Sequence, residues 1–169
     1  MPDVNLRHEI DCDEDTFWNK VFFDDEYLKR MFMDELKMIS FKVLEQKDDG
    51  KVITRRVQVD PPVTGLPGPV KKAIGDSFTY IEEGTFDKAA KRFTFKVIPA
   101  AFGEKAKIGG ELWTEKIGDK KIARCARMTI SVKVFMVGSI VEDKIATDIK
   151  QSYAKAAEFT NRFVKEKGY

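Results

Sequence analysis

The sequence predicts an α+β fold in which an antiparallel sheet packs against a long C-terminal helix, with two short helices after the first strand. Three observations predict it. Apolar and polar residues alternate through the middle of the chain, turn signals divide those stretches into pairs, and the last stretch returns to a spacing of three to four. The 169 residues suit one domain, 1–169, and no repeat or linker-like segment divides them.

The first strand is Val4 to Ile10, which alternates except at His8. Asp11 to Asp15 then form an acidic cluster suited to capping a helix. That helix carries Phe17, Trp18, Val21 and Phe22, and a second one fits Asp24 to Asp34, with Tyr27, Leu28, Met31 and Phe32 as its apolar stripe. Strands over 36–46 and 51–60 flank Lys47-Asp48-Asp49-Gly50, whose Asp-Gly ending is a hairpin signal. A second pair, 77–86 and 91–98, turns at 87–90, and a third, 106–117 and 120–135, turns at Gly118-Asp119.

Between the first two pairs, Pro61, Pro62, Pro67 and Pro69 alternate with Gly65 and Gly68, which predicts a structured loop and a helical turn at 70–74. Val63 and Leu66 are expected to be exposed there; the loop is either an ordinary long connection or, with Pro67, a lid able to make transient contact with a membrane surface. Gly109-Gly110 inside a strand reads as a bulge or bend. From Val137 through Val141, Ile145, Ile149, Tyr153 and Ala156 to Phe163 one face is apolar and the opposite face charged. About 28 residues at ~1.5 Å each give a helix near 40 Å long.

Composition excludes several functions. Thirty basic against 28 acidic residues leave a net charge of +2, too balanced for the positive field of a nucleic-acid binder. No apolar run approaches the ~20 residues of a membrane span, and Met1 to Glu9 has no apolar signal core, so a cytoplasmic setting is expected. One histidine and two cysteines, Cys12 and Cys125, provide neither a zinc cage nor a disulfide framework. No phosphate-binding loop is present, and no cofactor or metal is implied. Thirteen phenylalanines suit a large apolar interior or an apolar ligand site.

Strand register places titratable groups among apolar neighbours: His8 with Val4, Leu6 and Ile10; Arg55 with Ile53, Val57 and Val59; Glu82 with Phe78, Tyr80 and Phe86; Arg124 with Ile122, Ala126 and Met128. These four are either polar anchors of a ligand pocket or structural groups, such as an arginine paired with Glu82. Arginine suits a carboxylate or phosphate, whereas Glu82 or His8 suits a hydroxyl. Phe78, Tyr80, Phe93, Phe95, Leu112, Met128, Ile145, Ile149 and Tyr153 are the expected walls. Cys12 follows His8 by four residues, but a strand-to-helix turn lies between them, which argues against a thiolate–imidazole pair.

This element order, with Val59-Asp60-Pro61-Pro62-Val63-Thr64-Gly65-Leu66-Pro67-Gly68-Pro69 before a strand and Gly109-Gly110-Glu111-Leu112-Trp113 within one, resembles the START-like (SRPBCC, helix-grip) superfamily over essentially the whole chain. It is similar to a bacterial branch of it. The resemblance implies a curved seven-stranded antiparallel sheet wrapped round the terminal helix, often with a hydrophobic cavity between them. It implies binding, and intracellular transfer, of a lipid or other hydrophobic small molecule without catalysis. The alternatives are an enzyme of polyketide-cyclase or dehydratase type using Tyr80, Glu82 or His8, and a filled-core protein-interaction module.

Overall fold

The computed structural model describes residues 2–63, 65–75 and 78–169. The strands are β1 (Asp3–Ile10), β2 (Ser40–Asp48), β3 (Val52–Asp60), β4 (Tyr80–Asp87), β5 (Arg92–Pro99), β6 (Ala106–Gly118) and β7 (Lys121–Val132). They form one antiparallel seven-stranded sheet in the order β1-β7-β6-β5-β4-β3-β2. The helices are α1 (Glu14–Thr16), α2 (Asp25–Lys29), α3 (Gly68–Ile74) and α4 (Gly138–Lys167). This is the START-like helix-grip arrangement that the element order implies.

Consecutive strands from β2 to β7 pair as hairpins, so the first and second strands end up at opposite edges of the sheet. The chain must therefore cross the sheet between them, and α1 and α2 make that crossing. Each starts at an aspartate cap: Asp13 Oδ1 accepts from the Thr16 amide at 2.7 Å, and Asp24 Oδ2 from the Tyr27 amide at 2.9 Å. Neither continues as a plain α-helix. Both widen into π-helical turns, Phe17–Val21 and Arg30–Glu35, in which the Phe22 amide donates to the Phe17 carbonyl at 2.8 Å and the Leu36 amide to that of Met31 at 2.9 Å.

The hairpin signals hold in detail. Asp49 Oδ1 accepts from the amides of Lys51 and Val52, both at 2.8 Å, and Gly50 takes φ 92°. Several strand ends differ from the periodicity. β2 starts at Ser40 rather than Leu36, because Lys37 at φ 56° breaks the extended run and leaves Leu36 and Met38 facing inward from the connection. β4 starts at Tyr80; its predicted start, Ser77, lies outside the described residues, as does Thr64 of the proline loop. β7 stops at Val132, and the Gly138 amide returns to the Val134 carbonyl at 2.9 Å to open α4.

The apolar stripe of α4 divides into two parts. Ala156, Ala157, Phe159, Phe163 and Val164 are buried against β1, β7 and the helical crossing, where Tyr27 stacks on Phe159 with ring centroids 5.6 Å apart. Burying each such phenylalanine contributes about 1.5–3 kcal/mol. Ile145, Ile149 and Tyr153, one to three turns earlier, are only half-buried. The stripe is apolar along its whole length, but between buried Val141 and the solid C-terminal half it is less completely packed.

Gly109 and Gly110 do not form a bulge. β6 keeps continuous register through them with both β5 and β7. The glycines serve close approach instead: a Cβ on Gly110 would lie 2.1 Å from the Arg127 carbonyl oxygen, a backbone atom that cannot swing aside. Gly110→Ala is therefore expected to cost about 1–3 kcal/mol. Gly109→Ala, whose Cβ would come only to 3.0 Å from the Phe95 carbonyl oxygen, should cost less. Urea denaturation of the two variants checks this ranking; equal midpoints would contradict it.

Candidate functional site

The gap over the unfilled half of the α4 stripe is a cavity of about 240 Å³. Its floor is the inner face of the sheet, its roof is α4 from Ile145 to Ala156, and α2 with its π-helical continuation closes one side. All nine predicted wall residues line it: Phe78, Tyr80, Phe93, Phe95, Leu112, Met128, Ile145, Ile149 and Tyr153. Three of the four predicted polar groups, Arg55, Glu82 and Arg124, line it as well.

Arg55 is held by chemistry that its strand neighbours set up. It lies opposite Gly84 in the β3–β4 register, and Glu82 sits diagonally from it on the same face. A Cβ on Gly84 would fall 2.0 Å from the Phe93 Cζ, so the missing side chain is what lets the Phe93 ring lie flat there. The Arg55 guanidinium rests 5.1–5.2 Å from the ring centroids of Phe22, Phe23 and Phe93, a cation–π cradle. Its Nη2 approaches Glu82 Oε1 at 3.4 Å. Burial pushes the Glu82 carboxyl above its ordinary range, and the neighbouring Arg55 charge opposes that push.

Arg124 has no such partner. Its guanidinium lies 5.1 Å from the Tyr153 ring centroid, and Nη2 donates to the Tyr153 carbonyl at 2.9 Å. Among the described residues, Nε is buried without any acceptor, and Arg124 makes no ion pair with any carboxylate. Burial lowers the pKa of both arginines, yet a guanidinium remains protonated in proteins. Arg124 is thus a buried cation that its surroundings leave largely unsatisfied.

The tyrosines divide by hydrogen bonding. The Thr160 hydroxyl spends its proton on the Ala156 carbonyl at 2.6 Å, so at 2.7 Å it can only accept from Tyr27. The Tyr27 proton is thereby committed to the core. Tyr80 and Tyr153 line the cavity, and among the described residues nothing accepts from their hydroxyls. Burial raises the pKa of both, so at neutral pH they are donors rather than phenolates.

Other predicted groups lie elsewhere. His8 pairs with Arg124 across β1 and β7 but is absent from the cavity lining, and its Nδ1 has no partner among the described residues. Of the proline loop, Pro61 reaches the cavity, whereas Val63, Leu66 and Pro67 do not. Leu66 is not exposed as expected: it packs against the core, Val63 is half-buried, and Pro67 caps α3. Among the described residues the barest apolar side chains are instead Phe135 (90% exposed) and Met136 (80%), in the β7–α4 connection. Cys12 is buried, and its thiol is pushed up to about 12, chiefly by that burial, which makes it inert. Among the described residues no cluster of His, Cys, Asp and Glu could hold a metal, and no helix is long and apolar enough to cross a membrane.

Sequence reasoning missed the lining contributed by Tyr27, Leu28, Met31 and Phe32. Their stripe was legible, but nothing in it says that the helix closes a gap rather than a filled core. Leu36, Met38 and Pro99 were missed because they sit at loops and strand ends, where periodicity gives no direction.

The model of the family described as "Protein of unknown function (DUF2505)" matches residues 5–164. Among curated proteins none matches. Many solved structures share the fold. An aromatase/cyclase, ZhuI, from Streptomyces sp. R1128 superposes with a TM-score of 0.66 at 10% identity, covering 99% of this chain and 96% of its own. Norcoclaurine synthase from Thalictrum flavum, a point mutant bound to a transition-state analogue, gives 0.67 at 16% identity, with 99% and 96% coverage. A START superfamily protein from Mycobacterium smegmatis gives 0.62 at 16%, with 96% and 98%.

The position of His8 has a consequence for stability. Burial, and then the Arg124 charge, lower its pKa from the ordinary 6.5. A depressed pKa means that the contribution to stability is complete above 6.5 and is lost as pH falls through the lower folded value. Since no other histidine titrates in that window, the His8→Gln variant should lose less stability than the parent between pH 6.5 and 5 (about one to two pH units around the usual histidine pKa). Guanidinium denaturation at each pH measures it, and parallel curves would refute it. Glu82 is common to both proteins and cancels in the comparison.

Proposed function

This chain belongs to the DUF2505 family, and from that premise and the cavity we propose that it binds a lipid or other largely hydrophobic small molecule between sheet and α4, shielding it for transfer within the cytoplasm. The observation that carries this reading is a mostly apolar interior space of about 240 Å³ that the chain's own side chains leave unfilled. An apolar cavity of roughly 150 Å³ already admits benzene. Leaving such a space open forfeits packing energy, by the scale of about 24 cal/mol per Å³ measured for engineered core cavities. A bound ligand restores those contacts and hides its own apolar surface at ~25 cal/mol per Å². The open space also counts against a filled-core interaction module.

A second reading has one specific observation in its favour. The Tyr80 hydroxyl has no acceptor among the described residues and shares its strand face with Glu82, which supports proton transfer in a cyclase-like reaction. Neighbours of the fold include an aromatase/cyclase and norcoclaurine synthase. At 10–16% identity these show shared architecture only.

The neutral fluorophore N-phenyl-1-naphthylamine is expected to bind saturably, one per chain, with a rise in emission. Ile149→Trp, which fills the roof of the cavity, should weaken that binding at least about tenfold, or ~1.4 kcal/mol. Titration of parent and variant, both checked by circular dichroism, measures this; undiminished binding by the filled variant would place the dye elsewhere and remove the proposal. Native mass spectrometry followed by organic extraction then identifies what co-purifies. Turnover of a polyketide-like substrate that disappears in Tyr80→Phe would favour the enzyme instead.

A further inference from the structure

The polar groups of the cavity are unbalanced in a way that specifies its ligand. Among the described residues, every ionisable group that lines it can be assigned. Arg55 is paired with Glu82, and Asp148 lies exposed at the rim, bonded to Lys144. Tyr27, Tyr80 and Tyr153 are neutral donors, and His8, beside Arg124, is held toward its neutral form. Arg124 remains. It is 4% exposed, has five N–H donors, and makes one hydrogen bond among the described residues, to a neutral carbonyl.

Even with Glu82 fully ionised, the described residues that line the buried part of the cavity therefore carry one more positive than negative charge. An unpaired cation away from water is costly, and removing it from a fold is simple for a chain that has no use for it. The surplus is also one of donors. Arg124, Tyr153 and Tyr80 all line the same cavity with donors that no described residue accepts from, and a carboxylate, with about four lone-pair sites, is the acceptor that matches such a set.

We propose that the ligand is a hydrophobic carboxylic acid, bound as the carboxylate, with its head group on Arg124 and its apolar body along Phe95, Leu112, Met128, Ile145 and Ile149. This rests on the cavity-binding reading and gives it a chemical class. The arrangement makes the head group as important as the tail: an alcohol of the same length leaves Arg124 unpaired, and an ammonium of the same length adds a second cation beside it. The contact between Arg124 and the Tyr153 carbonyl orients the guanidinium, so Arg124 also ties β7 to α4. A purely structural arginine would show that tie without any preference among head groups.

The test displaces N-phenyl-1-naphthylamine with decanoate, 1-decanol and decyltrimethylammonium at pH 7.5, where the acid is ionised. Decanoate is expected to bind at least about tenfold more tightly than 1-decanol (~1.4 kcal/mol), and the ammonium more weakly than either. In Arg124→Gln the advantage of decanoate over 1-decanol should vanish while 1-decanol affinity stays within about threefold (~0.7 kcal/mol). Should Arg124→Gln fail to fold, the head-group series on the parent still decides, together with the ¹⁵N–¹H resonance of Arg124 Nε. That resonance should shift with decanoate and not with 1-decanol. Equal affinity for acid and alcohol, or retention of the preference in Arg124→Gln, overturns the proposal and leaves the cavity-binding reading standing. If the dye binds but none of the three displaces it, the acid proposal also fails. Absence of dye binding as well removes both.

Discussion

Two guanidinium groups set inside an apolar wall are the constraint round which the inner face of this sheet is arranged. A buried arginine cannot shed its charge, so the protein must surround it with compensating groups. For Arg55 the compensation is built in: three phenylalanine ring faces, a carboxylate on the next strand, and a glycine whose missing side chain lets one of those rings lie in place. For Arg124 it is partial, a tyrosine ring and one helix carbonyl. Two chemically identical side chains are thus compensated to different extents.

The same asymmetry organises α4. Its C-terminal half is locked by Tyr27, whose hydroxyl hands its proton to Thr160 and whose ring stacks on Phe159. The stretch before it, from Ile145 to Tyr153, spans an unfilled gap and meets the sheet through Arg124 at Tyr153. One helix is thus anchor at one end and roof at the other.

Much of this was legible in the chain. Alternation at period two placed Arg55, Glu82 and Arg124 on the inner face, because a one-residue slip would have turned every neighbouring valine and isoleucine outward. The spacing of Ile145, Ile149 and Tyr153 placed them together for the corresponding helical reason. Where the backbone leaves regular structure the same logic gives no direction. Leu36 and Met38 turn inward on either side of a left-handed Lys37, Leu66 tucks into the core from a loop expected to be exposed, and Phe135 protrudes from the end of a stretch that looked like strand, with Met136 beside it. His8 obeyed the register and still missed the cavity, since β1 is an edge strand beyond the reach of the pocket.

The sequence by itself determined which residues avoid water and which faces they share, because that information lies in the periodicity of each strand and helix. It therefore carried the sheet, the gripping helix and a shortlist of inward charges. Only the tertiary structure decided whether the enclosed volume is filled, which charge met a partner, and which hydroxyl proton was already spent. Those depend on distances between residues far apart in the chain: 27 residues between Arg55 and Glu82, 133 between Tyr27 and Thr160. No local pattern encodes whether such a distance closes to a hydrogen bond or leaves room for a ligand.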